Sequence, residues 1–262
     1  MRKFSTVAIS AILLPGVLAL AACSASSTPK SAASAAAGST ASAAPTAAAT
    51  TAAESNTDLT SAEVNSQIAA AVKTATAVHV KGSMGSGGSS VTLDLQLNKD
   101  SGQGTITAGG LVVPFVSVDN AVYIQFTPSL LAQAGQSSTS TVGKELLNKW
   151  VSSTSTMGSS IASDFGPFMS LSAFAAQVTS DDSTFTADGT STVNGVPVVN
   201  FKTTDDSSTP PDVSIISIPA TGPALPVQVS SGSDGTEGTT TFTWNQPTTG
   251  ITAPPASQIF TG

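Results

Sequence analysis

From Ala77 onward the chain alternates apolar and polar residues with a period of two, between turns spaced closely enough to make successive strands antiparallel neighbours. Val91, Leu93, Leu95 and Leu97 alternate with Thr92, Asp94, Gln96 and Asn98, so one face of that strand is buried and the other is wet. The pattern recurs with Val78 and Val80 against His79 and Lys81, and with Val122, Ile124 and Phe126 against Tyr123, Gln125 and Thr127. It recurs again with Leu225, Val227 and Val229 against Pro226, Gln228 and Ser230. Turn signals stand between such runs at Gly87-Gly88, Lys99-Asp100-Ser101-Gly102, Gly109-Gly110, Asp119-Asn120, Asn194-Gly195 and Asp234-Gly235. The fold class this predicts is α+β, on a single antiparallel sheet of about ten strands, which at that width curls rather than staying flat.

Two segments depart from this period. Thr60-Ser61-Ala62-Glu63 reads as a capping box, and Val64, Ile68, Ala71, Val72 and Ala75 follow at helical spacing, so a helix precedes the first strand and lies against the domain. Residues 128–178 lose the alternation but carry Leu130, Leu131, Leu146, Leu147, Trp150, Met157, Ile161, Phe165, Phe168, Met169, Leu171 and Phe174. A curled sheet with one apolar face needs a cover. This insert is the candidate, with short helices expected near 128–134, 143–151 and 170–178. Strands are expected to resume at Ser183 and to run through Trp244.

The N-terminus supplies an address. Met1-Arg2-Lys3 is a positive n-region and Phe4 to Leu20 an apolar stretch broken by Pro15-Gly16, short for a membrane span. Leu20-Ala21-Ala22-Cys23 then resembles a bacterial lipobox, a signal that implies cleavage before Cys23 and acylation of its thiol. An ordinary secretory signal with an incidental cysteine is the alternative. Cys23 is the only cysteine of the 262 residues and so has no disulfide partner. Residues 24–58 are almost wholly Ala, Ser, Thr and Pro and cannot bury enough surface to offset the entropy of ordering. The expected organisation is therefore a signal peptide over 1–22, a lipidated Cys23 with a disordered tether over 23–58, and one domain over 59–262. The lipidated residue would hold this domain on the extracytoplasmic face of a cell membrane.

Charge and chemistry exclude several classes. The net charge of −7 becomes −9 once Arg2 and Lys3 leave with the signal, and nothing basic is clustered. Nucleic-acid binding, which needs a positive face, is not expected. His79 is the only histidine, set on the polar face of its strand, so no ordinary zinc or copper site is expected. No Gly-x-Ser-x-Gly elbow occurs, and the lone Ser-x-x-Lys match, Ser27 to Lys30, falls in the tether. Asp181-Asp182, Asp205-Asp206 and the Asp234 to Glu237 turn read as solvated strand ends. The expectation is a protein without catalytic residues, cofactor or metal.

The order of lipobox, tether, helix, strands, helical interruption and further strands resembles the LppX/LprG-type family of actinobacterial lipoproteins, which shares a half-barrel with the LolA and LolB carriers. Local segments carry the same resemblance: Tyr123 to Pro128, Asn148-Lys149-Trp150, Thr192 to Val199, Phe242 to Asn245 and Ile251 to Pro255. It implies a curled half-barrel whose concave face, covered by short helices, encloses an apolar cavity for the acyl chains of a lipid or glycolipid. On this chain the implied lining is Val80, Leu93, Leu95, Ile124, Phe126, Trp150, Phe168, Leu171, Phe174 and Phe242. Read from the residues alone, the same side chains equally suit a filled core, as in a structural or protein-interaction module of the cell envelope. The partners expected are thus a membrane, through Cys23, and a lipid.

Overall fold

The computed structural model describes residues 54–86, 89–156, 158, 169–179, 184–205, 211–232, 235, 237–246, 248 and 250–261. The signal, Cys23, the tether to residue 53, the Gly87-Gly88 turn, Phe168 and Asp181-Asp182 lie outside these.

The described strands are β1 (Ala77–Ser86), β2 (Ser89–Asn98), β3 (Ser101–Ala108), β4 (Leu111–Val118), β5 (Ala121–Gln125), β6 (Trp150–Ser152), β7 (Thr186–Val193), β8 (Val196–Asp205), β9 (Asp212–Pro219), β10 (Gln228–Gly232) and β11 (Gly238–Trp244). All join one antiparallel sheet in the order β6-β5-β4-β3-β2-β1-β11-β10-β9-β8-β7. It consists of two meanders, welded where the first strand meets the last. Its edges, β6 and β7, do not meet, so the sheet is a curled half-barrel and not a closed one. Three of its turns rest on paired residues with left-handed φ: Gly109 and Gly110 (56° and 80°), Asp119 and Asn120 (52° and 59°), and Asn194 and Gly195 (49° and 81°). That backbone hand matches the twist of the strands it joins.

Four α-helices accompany the sheet among the described residues: α1 (Ser61–Thr74), α2 (Pro128–Gln133), α3 (Thr141–Leu146) and α4 (Leu171–Thr179). The start of α1 follows the capping-box reading, with the Thr60 N–H and hydroxyl donating to the Glu63 carboxylate at 2.8 and 2.6 Å. Val64, Ile68, Ala71 and Val72 are its buried face. They meet the inward side chains of β1 and β2 in one cluster, and α1 packs against α4.

Three boundaries differ from the sequence reading. The helix expected over 143–151 is α3, which stops at Leu146. Asn148 then takes φ 60° and the chain becomes β6, because Phe126 and residues 148–149 exchange backbone hydrogen bonds at 2.9 Å and draw the segment alongside β5. The strand expected from Leu225 begins only at Gln228, since Pro223 and Pro226 cannot donate to a ladder; the Pro226 carbonyl instead accepts from the Trp244 indole at 2.6 Å. The ordered chain also reaches back into the expected tether. Asn56 is 4% exposed, and its side-chain amide donates to the Pro219 and Gly222 carbonyls at 2.8 and 2.9 Å, fastening residues 54–56 to the β9–β10 connection.

Register defines the inner face. One row of directly paired residues runs Phe242, Val80, Leu95, Gly104, Phe115, Ile124 and Val151 across six neighbouring strands and into β6. Gly104 sits between Leu95 and Phe115 at φ 158°, where a Cβ would run into the Asp94 carbonyl and, at 2.8 Å, the Leu95 Cα. A side chain there would push β2 and β3 apart in the curl. Leu95, fully buried in the middle of this row, should cost about 2–5 kcal/mol when cut to alanine, read as a drop in chemical-denaturation stability.

Candidate functional site

Four successive rows divide the inner face of β1–β4 into a sealed end and an open one. The first, Val78, Leu97, Gly102, Ser117 and Val122, is buried throughout. In the second, Val80, Leu95, Phe115 and Ile124 are no more than 1% exposed, and the third, Leu93, Ile106 and Val113, is nearly as closed. The fourth, Met84, Val91, Ala108 and Leu111, is apolar yet only half-buried. Six residues separate the first row from the fourth on β1, about 20 Å of strand.

The seal is made by helices at the first-row end. The C-terminus of α1 leads through Ala75 and Thr76 into β1, and its leader is held by Asn56 at the β9–β10 connection, so α1 bridges the two meanders there. The start of α4 is stapled to the β2–β3 turn, where the Ser172 N–H and hydroxyl donate to the Lys99 carbonyl at 3.1 and 2.6 Å. Gly102 makes the close approach possible, because a Cβ there would meet the Met169 carbonyl oxygen at 2.5 Å and Leu97 at 2.9 Å.

Across the seam the inner face is closed at Val199, Phe201 and Ile218, none more than 4% exposed, and is less filled toward β11. Phe242 and Trp244 of β11 project inward with ring centroids 6.2 Å apart and nearly parallel, and Phe174 of α4 lies 6.1 Å from Phe242. All three are half-buried, as are Ile216, Leu225 and Phe185, which pack around the same core. Among the described residues every fully buried side-chain nitrogen or oxygen has a hydrogen-bond partner. What this surface offers is therefore apolar area and aromatic edges, with no unmet polar demand.

The sequence-predicted residues fall into separate places. Val80, Leu93, Leu95, Ile124 and Leu171 are in the densest part of the main core, and Phe174 and Phe242 are at its half-open margin. Phe126 belongs to a satellite cluster with Leu131, Leu146 and Val151. Trp150 pairs with Gln125 while Val151 pairs with Ile124, which puts Trp150 on the outer face. Reading that segment as helix hid the parity that decides this. Sequence reasoning did not single out Trp244, although its alternation with Thr243 and Thr241 gives the inward direction. Ile216 was hidden for another reason: β9 reads Val213, Ile215, Ile216, Ile218, apolar on both faces, because Gly235 of the β10–β11 turn folds over Ile215 and Val213 from outside.

The outer face of β1–β3 is polar. His79 Nε2 lies 2.7 Å from Asp94 Oδ1 and Lys81 Nζ 3.2 Å from Oδ2. The hydrogen bond with His79, helped by Lys81, outweighs partial burial and holds the Asp94 carboxyl below its ordinary 3.8. Among the described residues no three His, Cys, Asp or Glu side chains gather where they could hold a metal ion, and no helix is long and apolar enough to cross a membrane.

No protein-family model matches the chain, and no curated protein does. Among solved structures it is similar to the lipoprotein LppX of Mycobacterium tuberculosis, at 18% identity and a TM-score of 0.44 over 71% of this chain and 96% of that one. It is also similar to LprF from Mycobacterium bovis, at 15% identity and a TM-score of 0.45 over 73% and 95%. A DUF1329 family protein from Desulfovibrio piger matches at 10% identity and a TM-score of 0.28, over 70% and 90%.

Because the folded state lowers the Asp94 pKa, its contribution to stability is present above pH 3.8 and is lost as pH falls through the lower folded value. With half of the side chain exposed, Asp94→Asn should cost only about 0.5 kcal/mol at pH 7. The difference from the parent should close on acidification below that range, in denaturation curves taken across pH.

Proposed function

We propose that this chain is an extracytoplasmic lipoprotein, anchored through a lipidated Cys23, that binds the acyl chains of a lipid or glycolipid on the inner face of its half-barrel and passes them on without chemistry. The observation that supports this reading is the half-buried aromatic and aliphatic strip of Phe174, Phe242, Trp244, Ile216, Leu225 and Phe185. An acyl chain laid against such a strip gains about 0.8 kcal/mol for each methylene it buries and needs no polar partner. The densely packed Val80, Leu93, Leu95, Ile124 and Leu171 then serve as the wall that keeps the curl, and Phe174 and Phe242 as the surface that meets the ligand.

A second reading is a structural or protein-interaction lipoprotein with a filled core. The near-zero exposure of Val80, Leu95 and Ile124 favours it. Two substitutions separate the readings in the mature chain carrying Cys23→Ser. For an acyl-binding face, Ile216→Trp should weaken binding of a fluorescent fatty-acyl probe several-fold with little change in thermal midpoint. Ile124→Trp, by contrast, overpacks a solid wall, costing about 1–3 kcal/mol, and leaves the probe affinity alone. If no lipid copurifies by native mass spectrometry and the probe binds neither parent nor variants, the filled-core reading stands.

Anchoring is tested separately. Cys23→Ser should move the protein from the membrane to the soluble fraction and leave probe binding intact; retention in the membrane fraction would exclude the lipid anchor.

A further inference from the structure

The half-open fourth row coincides with a second, independent asymmetry. No charged residue occurs in Gly82–Leu93, in 101–118 or in 120–143, so among the described residues the open end of β1–β5, together with α2, is free of charge. The charges of this meander lie in three other places: Lys81 and Asp94, beside His79, on the outer face; Lys99, Asp100 and Asp119 in the turns of the sealed end; and Lys144, Glu145 and Lys149 in the β5–β6 connection beyond α2. At the open end the chain instead shows Met84, Val91, Leu111 and Leu130, half-buried, beside Val112, which is 37% exposed. Gly109 and Gly110 form the tip between β3 and β4, with nothing within 4 Å of where a Cβ would stand. Thr127 and Ser129 tie α2 to this rim, the Thr127 hydroxyl donating to the Val112 carbonyl at 2.9 Å and the Val112 N–H to Ser129 Oγ at 3.2 Å.

We propose that this uncharged rim, made of Met84, Val91, the β3–β4 tip and α2, is a membrane-contact surface that rests on the lipid bilayer while a lipid enters or leaves the half-barrel. The occupant is a bilayer and not a protein surface that reads charge, because the rim offers no charge to read and is continuous with the apolar inner rows. Contact through it is hydrophobic, so it is insensitive to salt, unlike adsorption to anionic headgroups. The second meander at this end carries acids, with Asp212 and Glu237 beside its turns. The molecule therefore meets the bilayer tilted, with β1–β4 down and the acids away from the headgroups. The opposite end is closed by α1 and α4 and bears the charged turns, so passage through it is blocked. This proposal rests on the acyl-binding reading above.

The test uses a matched pair of glycine turns in the mature chain carrying Cys23→Ser. Gly110 at the rim has φ 80° and Gly195 at the sealed end has φ 81°, and neither has an atom within 4 Å of its Cβ position. Aspartate tolerates this left-handed backbone better than most residues, so Gly110→Asp and Gly195→Asp add the same charge under the same local strain. Val112→Asp is a second rim variant. Flotation with phosphatidylcholine vesicles reads membrane contact without any ligand; the rate of acyl-probe transfer from those vesicles to the protein reads passage. Gly110→Asp and Val112→Asp should lose flotation and slow transfer by about fivefold or more, as charge placed at a membrane face does. Gly195→Asp should match the parent, and the parent should float equally at about 0.05 and 0.5 M salt. Equal behaviour of the rim variants and Gly195→Asp would overturn the proposal, as would flotation that requires anionic lipid and vanishes in salt. A rim that holds vesicles while no protein binds probe delivered in solution would leave membrane contact standing and sink the acyl-binding reading instead.

Discussion

The pairing of β1 with β11 is the interaction on which the rest of this structure depends. Val78 meets Trp244, Val80 meets Phe242 and Gly82 meets Thr240 in a ladder that joins parts of the chain some 160 residues apart. Without it there are two meanders, each with a bare edge and an apolar face too narrow to cover. With it there is one sheet wide enough to curl. Asn245 reinforces the join from its end, accepting from the Thr76 N–H at 2.8 Å and donating its own N–H to the Ala77 carbonyl at 2.9 Å. Closing so long a loop costs only logarithmically more than closing a short one, so the penalty lies in folding rate more than in stability.

The seam also places the cover. Since α1 runs directly into β1, it drops across the inner face beside the seam, and the Asn56 clasp decides how it leaves on the far side. Meanwhile α4 must return the chain from β6 at one edge to β7 at the other, and Ser172 on Lys99 sets it down at the same end as α1. Both helices therefore crowd one end of the half-barrel. The open end and the half-covered strip of β9–β11 follow from where the connections run, not from a shortage of apolar residues.

Much of this was legible in the residues. Strict alternation fixed the inward positions of β1, β2 and β5, glycine and asparagine pairs marked the turns, and Thr60 with Glu63 marked the start of α1. Legibility failed where a tertiary contact overrode the local signal. Trp150 follows a plausible helix, but the backbone bonds between Phe126 and residues 148–149 turn it into an edge strand and reverse its face. Ile216 lies in a run whose outer side is covered by a turn about twenty residues later, and Asn56 lies in a stretch whose composition predicts disorder although two carbonyls hold it. The candidate surface was the least legible part. Alternation tells which residues face inward, whereas the degree of filling depends on which connection crosses above them.

That distinction bears on how such a fold divides stability from function. A side chain sealed at the level of Leu95 or Phe115 contributes its full transfer energy to the folded state and has no free surface for anything else. Phe242, two strands from Leu95 along the same row, is half-buried: its remaining surface is still wet, and burying it would yield free energy that the chain itself has not claimed. An apolar ligand can supply that burial without displacing a protein hydrogen bond, since among the described residues no buried side-chain nitrogen or oxygen is left unpaired. A row sealed at Leu95 and incomplete at Phe242 can thus stay folded when empty and still gain from being filled, as the proposed binding of apolar chains requires.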